Sequence, residues 1–186
     1  MKSLNIEHSP ASLSFAPGKV EKEILDEIKI FLDYEAMLSD DYFLLWEWFN
    51  LLTDDFTYEV PVRVSRERHS SHSLYPKGSY HQMDDKFIIQ KRLERLETEK
   101  AWAEESPSRL RRVISGVLAI PGNDHQHYLV RSSFISYRGV DRLDGDILSG
   151  QRHDVLRKTN EGYKLAKRVV YLDHTVLPTR NLGFFF

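Results

Sequence analysis

No cysteine occurs anywhere in the 186 residues. That absence removes disulfides, thiolate metal sites, cysteine nucleophiles and any iron–sulfur cluster ligated by this chain. Long apolar runs are missing as well. Runs such as 43–46 and 184–186 fall far short of the roughly 20 residues a spanning helix needs. Nor does one sign of charge dominate. Lys+Arg 26 stand against Asp+Glu 28, a formal net charge of −2 with both signs mixed along the chain. Neither a nucleic-acid-binding stripe nor an acidic solvating tail is expected from that balance. No apolar run follows the early lysine, so no export signal is expected and the cytoplasm is the default address. Glycine-rich phosphate loops and a Gly-x-Ser-x-Gly elbow are absent too; Gly116, Gly122, Gly139, Gly145 and Gly150 instead punctuate strands and hairpins.

What is present reads as an ordinary globular chain, 41% hydrophobic and 29% charged, long enough to bury one substantial core. Residues 1–19, with Pro10, Pro17 and Gly18, show no sustained period and are expected to form an extended arm ahead of a single domain, 20–186. Apolar residues at Ile24, Ile28, Phe31 and Leu32 predict a first helix over 20–38. Ser39 and Asp40 can cap a second over 41–52, apolar nearly all round and so expected to be buried against several neighbours. Alternation over 56–66 predicts a strand, with Pro61 at an edge or a bulge. Residues 67–83 read as a long loop, and Asp84 and Asp85 start a third helix with Ile89, Leu93 and Leu96 on one face. Four strands follow, 110–120, 127–138, 146–158 and 163–176, separated by Pro/Gly/Asn/Asp turn signals. Helices segregated from a run of antiparallel strands give the α+β class. A strongly curved, mostly antiparallel sheet folded as a cone round three helices, the nuclear-transport-factor-2-like arrangement, satisfies this pattern.

The chemistry in that pattern is thin. His69 and His72, and His125 and His127, have spacings that can converge on an ion, but no carboxylate stands at a recognised ligand spacing. Solvated loop histidines account for them better, and no metal ligands are expected. Ser70 and Ser71 beside His69 and His72 lie in the same polar loop rather than on a strand-to-helix turn. A cone can also keep an interior cavity suited to dehydration or isomerisation. The candidates for such a stand-alone pocket enzyme are Asp41 and Tyr42 on the second helix, Tyr58 on the first strand, His81, and His153 in the meander. A desolvated carboxylate or imidazole there would be tuned for general acid–base work. Set against this, Asp41 completes a helix terminus and the tyrosines are core.

Several stretches coincide with one family. They are Leu51-Leu52-Thr53-Asp54-Asp55, Val60-Pro61-Val62-Arg63, Tyr75-Pro76-Lys77-Gly78 and Met83-Asp84-Asp85-Lys86. Ala101-Trp102-Ala103-Glu104-Glu105-Ser106-Pro107-Ser108-Arg109 and Asn181-Leu182-Gly183-Phe184-Phe185-Phe186 follow. In this order they resemble the small (β) subunit of aromatic-ring-hydroxylating dioxygenases, in the biphenyl, toluene, benzene and cumene branch. The chain departs from the family's pattern at Ser106, at Leu110 and Arg112, and at Gly116. The resemblance implies a non-catalytic structural subunit, with no catalytic, cofactor or metal residues on this chain, in a hexamer of three large (α) and three small (β) subunits. It places a Rieske [2Fe-2S] cluster and a mononuclear Fe(II) on the large subunit. The complex so implied cis-dihydroxylates an arene such as biphenyl, with electrons from NADH through a partner reductase and ferredoxin.

Two features suit interface work. Trp102, Arg109, Arg111 and Arg112 stand close together, and aromatic residues with arginine are enriched at interface cores; internal packing of Trp102 with solvated arginines accounts for them equally well. The phenylalanines at 184–186 are expected to dock on deep apolar surface, on this domain's own sheet or on a neighbouring protomer, with the family favouring docking in the assembly.

Overall fold

The computed structural model describes residues 20–41, 44–97, 109–124, 126–139, 145–179 and 181–186. The expected arm 1–19, Tyr42, residues 98–108 with Trp102, and His125 lie outside them. The elements are α1 (Lys22–Asp40), α2 (Leu45–Asn50), β1 (Leu52–Pro61), β2 (Tyr80–Asp85), α3 (Lys86–Leu96), β3 (Arg109–Pro121), β4 (His127–Gly139), β5 (Asp146–Thr159) and β6 (Gly162–Leu172). They form an α+β fold with one open, curved six-stranded sheet in the order β2-β1-β6-β5-β4-β3. Every pair is antiparallel except β1–β6, which runs parallel and joins the N-terminal strands to the meander.

The sheet bends at register shifts. In β3 the shift falls between Ser115 and Leu118, where Gly116 adopts φ 62, a conformation only glycine takes without penalty. The shift at Val60/Pro61 bears out the bulge expected at Pro61. It does not mark the sheet's edge, because β2 pairs outside β1.

Three expectations need correcting. Residues 80–83 belong to a strand, not to the loop; backbone pairing to β1 fixes this edge strand, whose polar sequence carries no alternation. Ser39 and Asp40 do not cap α2. They are the last residues of α1, both held by Arg112 of β3: Ser39 Oγ accepts from its guanidinium and Asp40 pairs with it. Packing has overridden their capping preference, and α2 is a short helix whose Trp48 alone is fully buried. For α3 the reading holds except at Asp84, which lies in β2 opposite Tyr58: Asp85 is the N-cap, accepting from the Ile88 N–H at 2.8 Å, and Ile89 and Leu93 are buried.

Candidate functional site

Side chains alternate across a strand, so the sheet has two faces with different contents. On the inner face, under α1, lie Tyr58 of β1, Arg168 of β6, Arg152 and Asp154 of β5, Ser132 and Ser136 of β4 and Arg112 of β3. Glu35 enters from α1. It stands on the helix's apolar stripe among Ile28, Phe31, Leu32, Ala36 and Leu38, with no exposed surface.

Glu35 is the hub of a buried charge network. Its carboxylate accepts from Arg168 Nη1 at 2.6 Å and Nη2 at 3.1 Å, from Arg152 Nη1 at 3.1 Å and from Trp48 Nε1 at 2.7 Å. Arg168 also donates from Nε and Nη2 to Asp154 at 2.9 and 3.0 Å. Arg112 pairs with Asp40 at 3.1 Å and donates to Ser39 Oγ. Three guanidiniums, Arg112, Arg152 and Arg168, therefore face the side-chain carboxylates of Glu35, Asp40 and Asp154 in the core. Burial alone would raise the Glu35 pKa, but the Arg168 and Arg152 charges outweigh it and hold the group at about 2. Burial pushes Arg152 down to about 10, while Arg168 is raised because Asp154 and Glu35 overcome its desolvation. At Asp40 burial wins over Arg112 and the pKa is raised.

The space enclosed by this network is filled by the chain itself. Phe185 stacks on Trp48 with ring centroids 4.6 Å apart and meets Tyr58 edge-on at 5.8 Å; Phe186 packs on Phe134 at 5.8 Å and on Phe184 at 5.0 Å. The backbone of the segment is held as closely as its rings. Arg112 donates to the Phe185 carbonyl at 2.5 Å and Arg168 to the main-chain oxygen of Phe186 at 2.9 Å. The Phe186 N–H donates to the Tyr58 hydroxyl at 2.9 Å. Upstream, Gln82 donates to the Leu182 carbonyl, and Arg138 donates to Thr179 and Asn181 and covers the Phe184 ring at 5.0 Å. Of the two surfaces weighed for residues 184–186, the domain's own interior takes them; docking on a neighbouring protomer is corrected. Arg112 is corrected as well: it is neither solvated nor an interface residue but buried, whereas Arg109 and Arg111 are exposed.

The pocket candidates do not converge. Tyr58 lies inside, its phenol pushed up to about 12 by burial, against the Phe186 hydrogen bond. His153 sits between Arg152 and Asp154 in β5 and so faces outward, its ring 4.9 Å from Tyr171. Burial pushes its pKa down to about 4, partly opposed by Asp154. Asp41 is the exposed C-cap residue of α1. His81 lies half-buried on β2, its pKa lowered by burial.

Among the described residues no three His, Asp or Glu side chains are grouped to hold a metal. His69 and His72 line an open polar depression with Ser70 and Ser71. His127 is engaged by Asp124 at 2.6 Å and by Arg157 at 2.9 Å. No helix among the described residues is long and apolar enough to cross a membrane.

Comparison with known proteins points one way. The family described as "Ring hydroxylating beta subunit" matches residues 34–179. The biphenyl 2,3-dioxygenase subunit beta of Rhodococcus jostii (strain RHA1) is 35% identical over 91% of this chain and 92% of its own length. The benzene 1,2-dioxygenase subunit beta of Pseudomonas putida is 33% identical over the same shares. Among solved structures, a chain of naphthalene 1,2-dioxygenase with indole bound in the active site superposes with TM-score 0.81 at 22% identity, covering 92% of this chain and 90% of its own.

Proposed function

Because this chain belongs to the ring-hydroxylating β-subunit family of aromatic-ring dioxygenases, we propose that it is the structural subunit of a multicomponent Rieske enzyme that cis-dihydroxylates an aromatic hydrocarbon such as biphenyl. The observation that carries the non-catalytic role is the filled interior. Where a cone-fold enzyme needs an open pocket, this chain has a charge network with its pairs closed on one another and three phenylalanine rings of its own. Phe185 lies between Trp48 and Tyr58, whose hydroxyl takes the Phe186 N–H, while His153 faces the other side of the sheet and Asp41 is exposed.

The oxygen chemistry then belongs to the partner. A Rieske centre takes two cysteines and two histidines, and this chain has no cysteine. A 2-His-1-carboxylate iron site is likewise assigned to the large subunit. Those groups supply the insertion of both atoms of O₂ into the arene, with two electrons delivered from NADH by a reductase and ferredoxin. The β chain's part is to hold the large subunits in register, in a cytoplasmic assembly of three large and three small subunits. Exposed apolar rows suit a scaffold of that kind. Ile30, Tyr34 and Met37 run along one side of α1, and Val113, Ile135, Tyr137 and Ile147 stand on the outer face of the sheet.

Turnover separates this from the pocket-enzyme reading. In a complex reconstituted with the large subunit, Tyr58→Phe and His153→Gln are expected to keep arene dihydroxylation within a few-fold, with assembly intact. A general acid–base group contributes about 10²–10⁴-fold, so a thousandfold loss in an intact complex would place chemistry on this chain.

A further inference from the structure

The interior treats residues 184–186 as a ligand, not merely as more core. Ordinary core side chains are held by packing, and their backbone is paired within helix or sheet. Here the segment belongs to no strand or helix, and its main-chain groups are recognised one by one by side chains: Phe185 C=O by Arg112, the Phe186 main-chain oxygen by Arg168, Phe186 N–H by Tyr58, Leu182 C=O by Gln82. The rings enter separate seats, Phe185 between Trp48 and Tyr58, and Phe186 against Phe134. Side-chain capture of an irregular backbone together with aromatic pockets is how folded domains bind short peptides.

The ion pairs of the seat are made without the segment. Arg168 keeps Glu35 and Asp154, Arg152 keeps Glu35, and Arg112 keeps Asp40. Donor capacity is left over besides: Arg152 Nη2 and Ser136 Oγ, on the same inner face, have no hydrogen-bond partner among the described residues. A site this rich in donors favours a carbonyl-bearing or acidic occupant over a plain hydrocarbon.

We infer that the inner face of the cone is a peptide-binding site for consecutive phenylalanines, occupied in cis by residues 184–186 and able to take the same sequence in trans. The tether to it runs through exposed Val176, so the segment can be severed without cutting a strand. Only contacts within this chain support the site, so it stands or falls separately from the dioxygenase reading.

The test places a protease recognition sequence between Val176 and Leu177, and the full chain is cut after it has folded. The freed decapeptide 177–186 is expected to co-purify at unit stoichiometry through gel filtration and to exchange with isotope-labelled synthetic decapeptide. Exchange should be weakened roughly 100-fold or more when the added peptide carries Phe185→Ala and Phe186→Ala, since each seat is worth at least a factor of ten. Tyr58→Phe should weaken it by about 2- to 10-fold, the worth of one hydrogen bond. Because the chain folds before cleavage, a truncated form that cannot fold does not blunt the experiment. Loss of the decapeptide on gel filtration while the remainder keeps its near-ultraviolet circular dichroism would overturn the inference. So would equal exchange with a scrambled peptide.

Discussion

Glu35→Gln is expected to remove about 3–5 kcal/mol of stability, because it takes one partner out of a buried ion cluster and leaves charge uncompensated. Exposed pairs elsewhere, such as Lys29–Asp26 or Lys91–Glu94, contribute far less because water screens them. The difference lies in what surrounds the carboxylate. Glu35 is fully buried and accepts four hydrogen bonds, two from Arg168 and one each from Arg152 and Trp48. The glutamine amide fits the space but carries no charge, and its NH₂ faces guanidinium donors. A domain whose whole stability is about 5–15 kcal/mol loses a large share of it, and urea unfolding should show the midpoint fall.

The same group sets the acid limit. A carboxylate whose folded pKa of about 2 lies below its ordinary value of 4.5 contributes stability that is complete above the unfolded value and lost as pH falls toward the folded one. The contribution is on the order of 3 kcal/mol, in line with the substitution. His153 acts at milder acidity: held neutral at about 4 against an ordinary 6.5, it withdraws stability as pH drops across that window. Melting temperature against pH should therefore decline in two stages. Glu35→Gln should flatten the lower one while leaving the His153 stage in place.

Phe186→Ala is expected to cost about 3–5 kcal/mol, the range for truncating a buried phenylalanine to alanine. For a chain of this size that lowers the melting temperature by roughly 6–20 °C. The substitution is more informative than deleting the segment. Deletion also releases the chain entropy of ordering six residues, about 1–2 kcal/mol each in backbone terms, which offsets much of the lost burial. Alanine keeps the backbone order and removes only the ring. The ring has no exposed surface and packs on Phe134 and Phe184. A solvated tail would respond by less than about 0.5 kcal/mol, so calorimetry separates the alternatives cleanly.

Much of the fold is legible in the order of residues alone. The helical stripe through Ile28, Phe31 and Leu32, the Asp85 cap and the division of the C-terminal half into β3, β4, β5 and β6 are local signals, and each appears in the structure. Interior electrostatics is another matter. Glu35 sits at a core position of an apolar helix face, and Arg152, Asp154 and Arg168 sit at core positions of alternating strands. A charge in an apolar register is a signal, but the meaning of Glu35 depends on partners far along the chain in β5 and β6, and strand pairing is needed to bring Asp154 opposite Arg168. β2 escapes for the opposite reason. Tyr80-His81-Gln82-Met83-Asp84-Asp85 carries no apolar alternation and becomes a strand only because β1 offers it an open edge. Residues 184–186 announce burial through three rings; whether their seat belongs to the same chain or to a neighbour is a three-dimensional fact. In the site, Tyr58 and His153 are flagged correctly as buried, but no local pattern says that they face opposite sides of the sheet.

The central claim is that this chain works by assembling a dioxygenase and not by itself. Co-expression with its large subunit, followed by light scattering on the purified product, tests it most directly. An equimolar complex with the mass of three large and three small subunits, active on an arene and losing that activity when this chain is withheld, is the expected result. A monomer that never co-migrates with the large subunit, beside a large subunit fully active without it, would contradict the account.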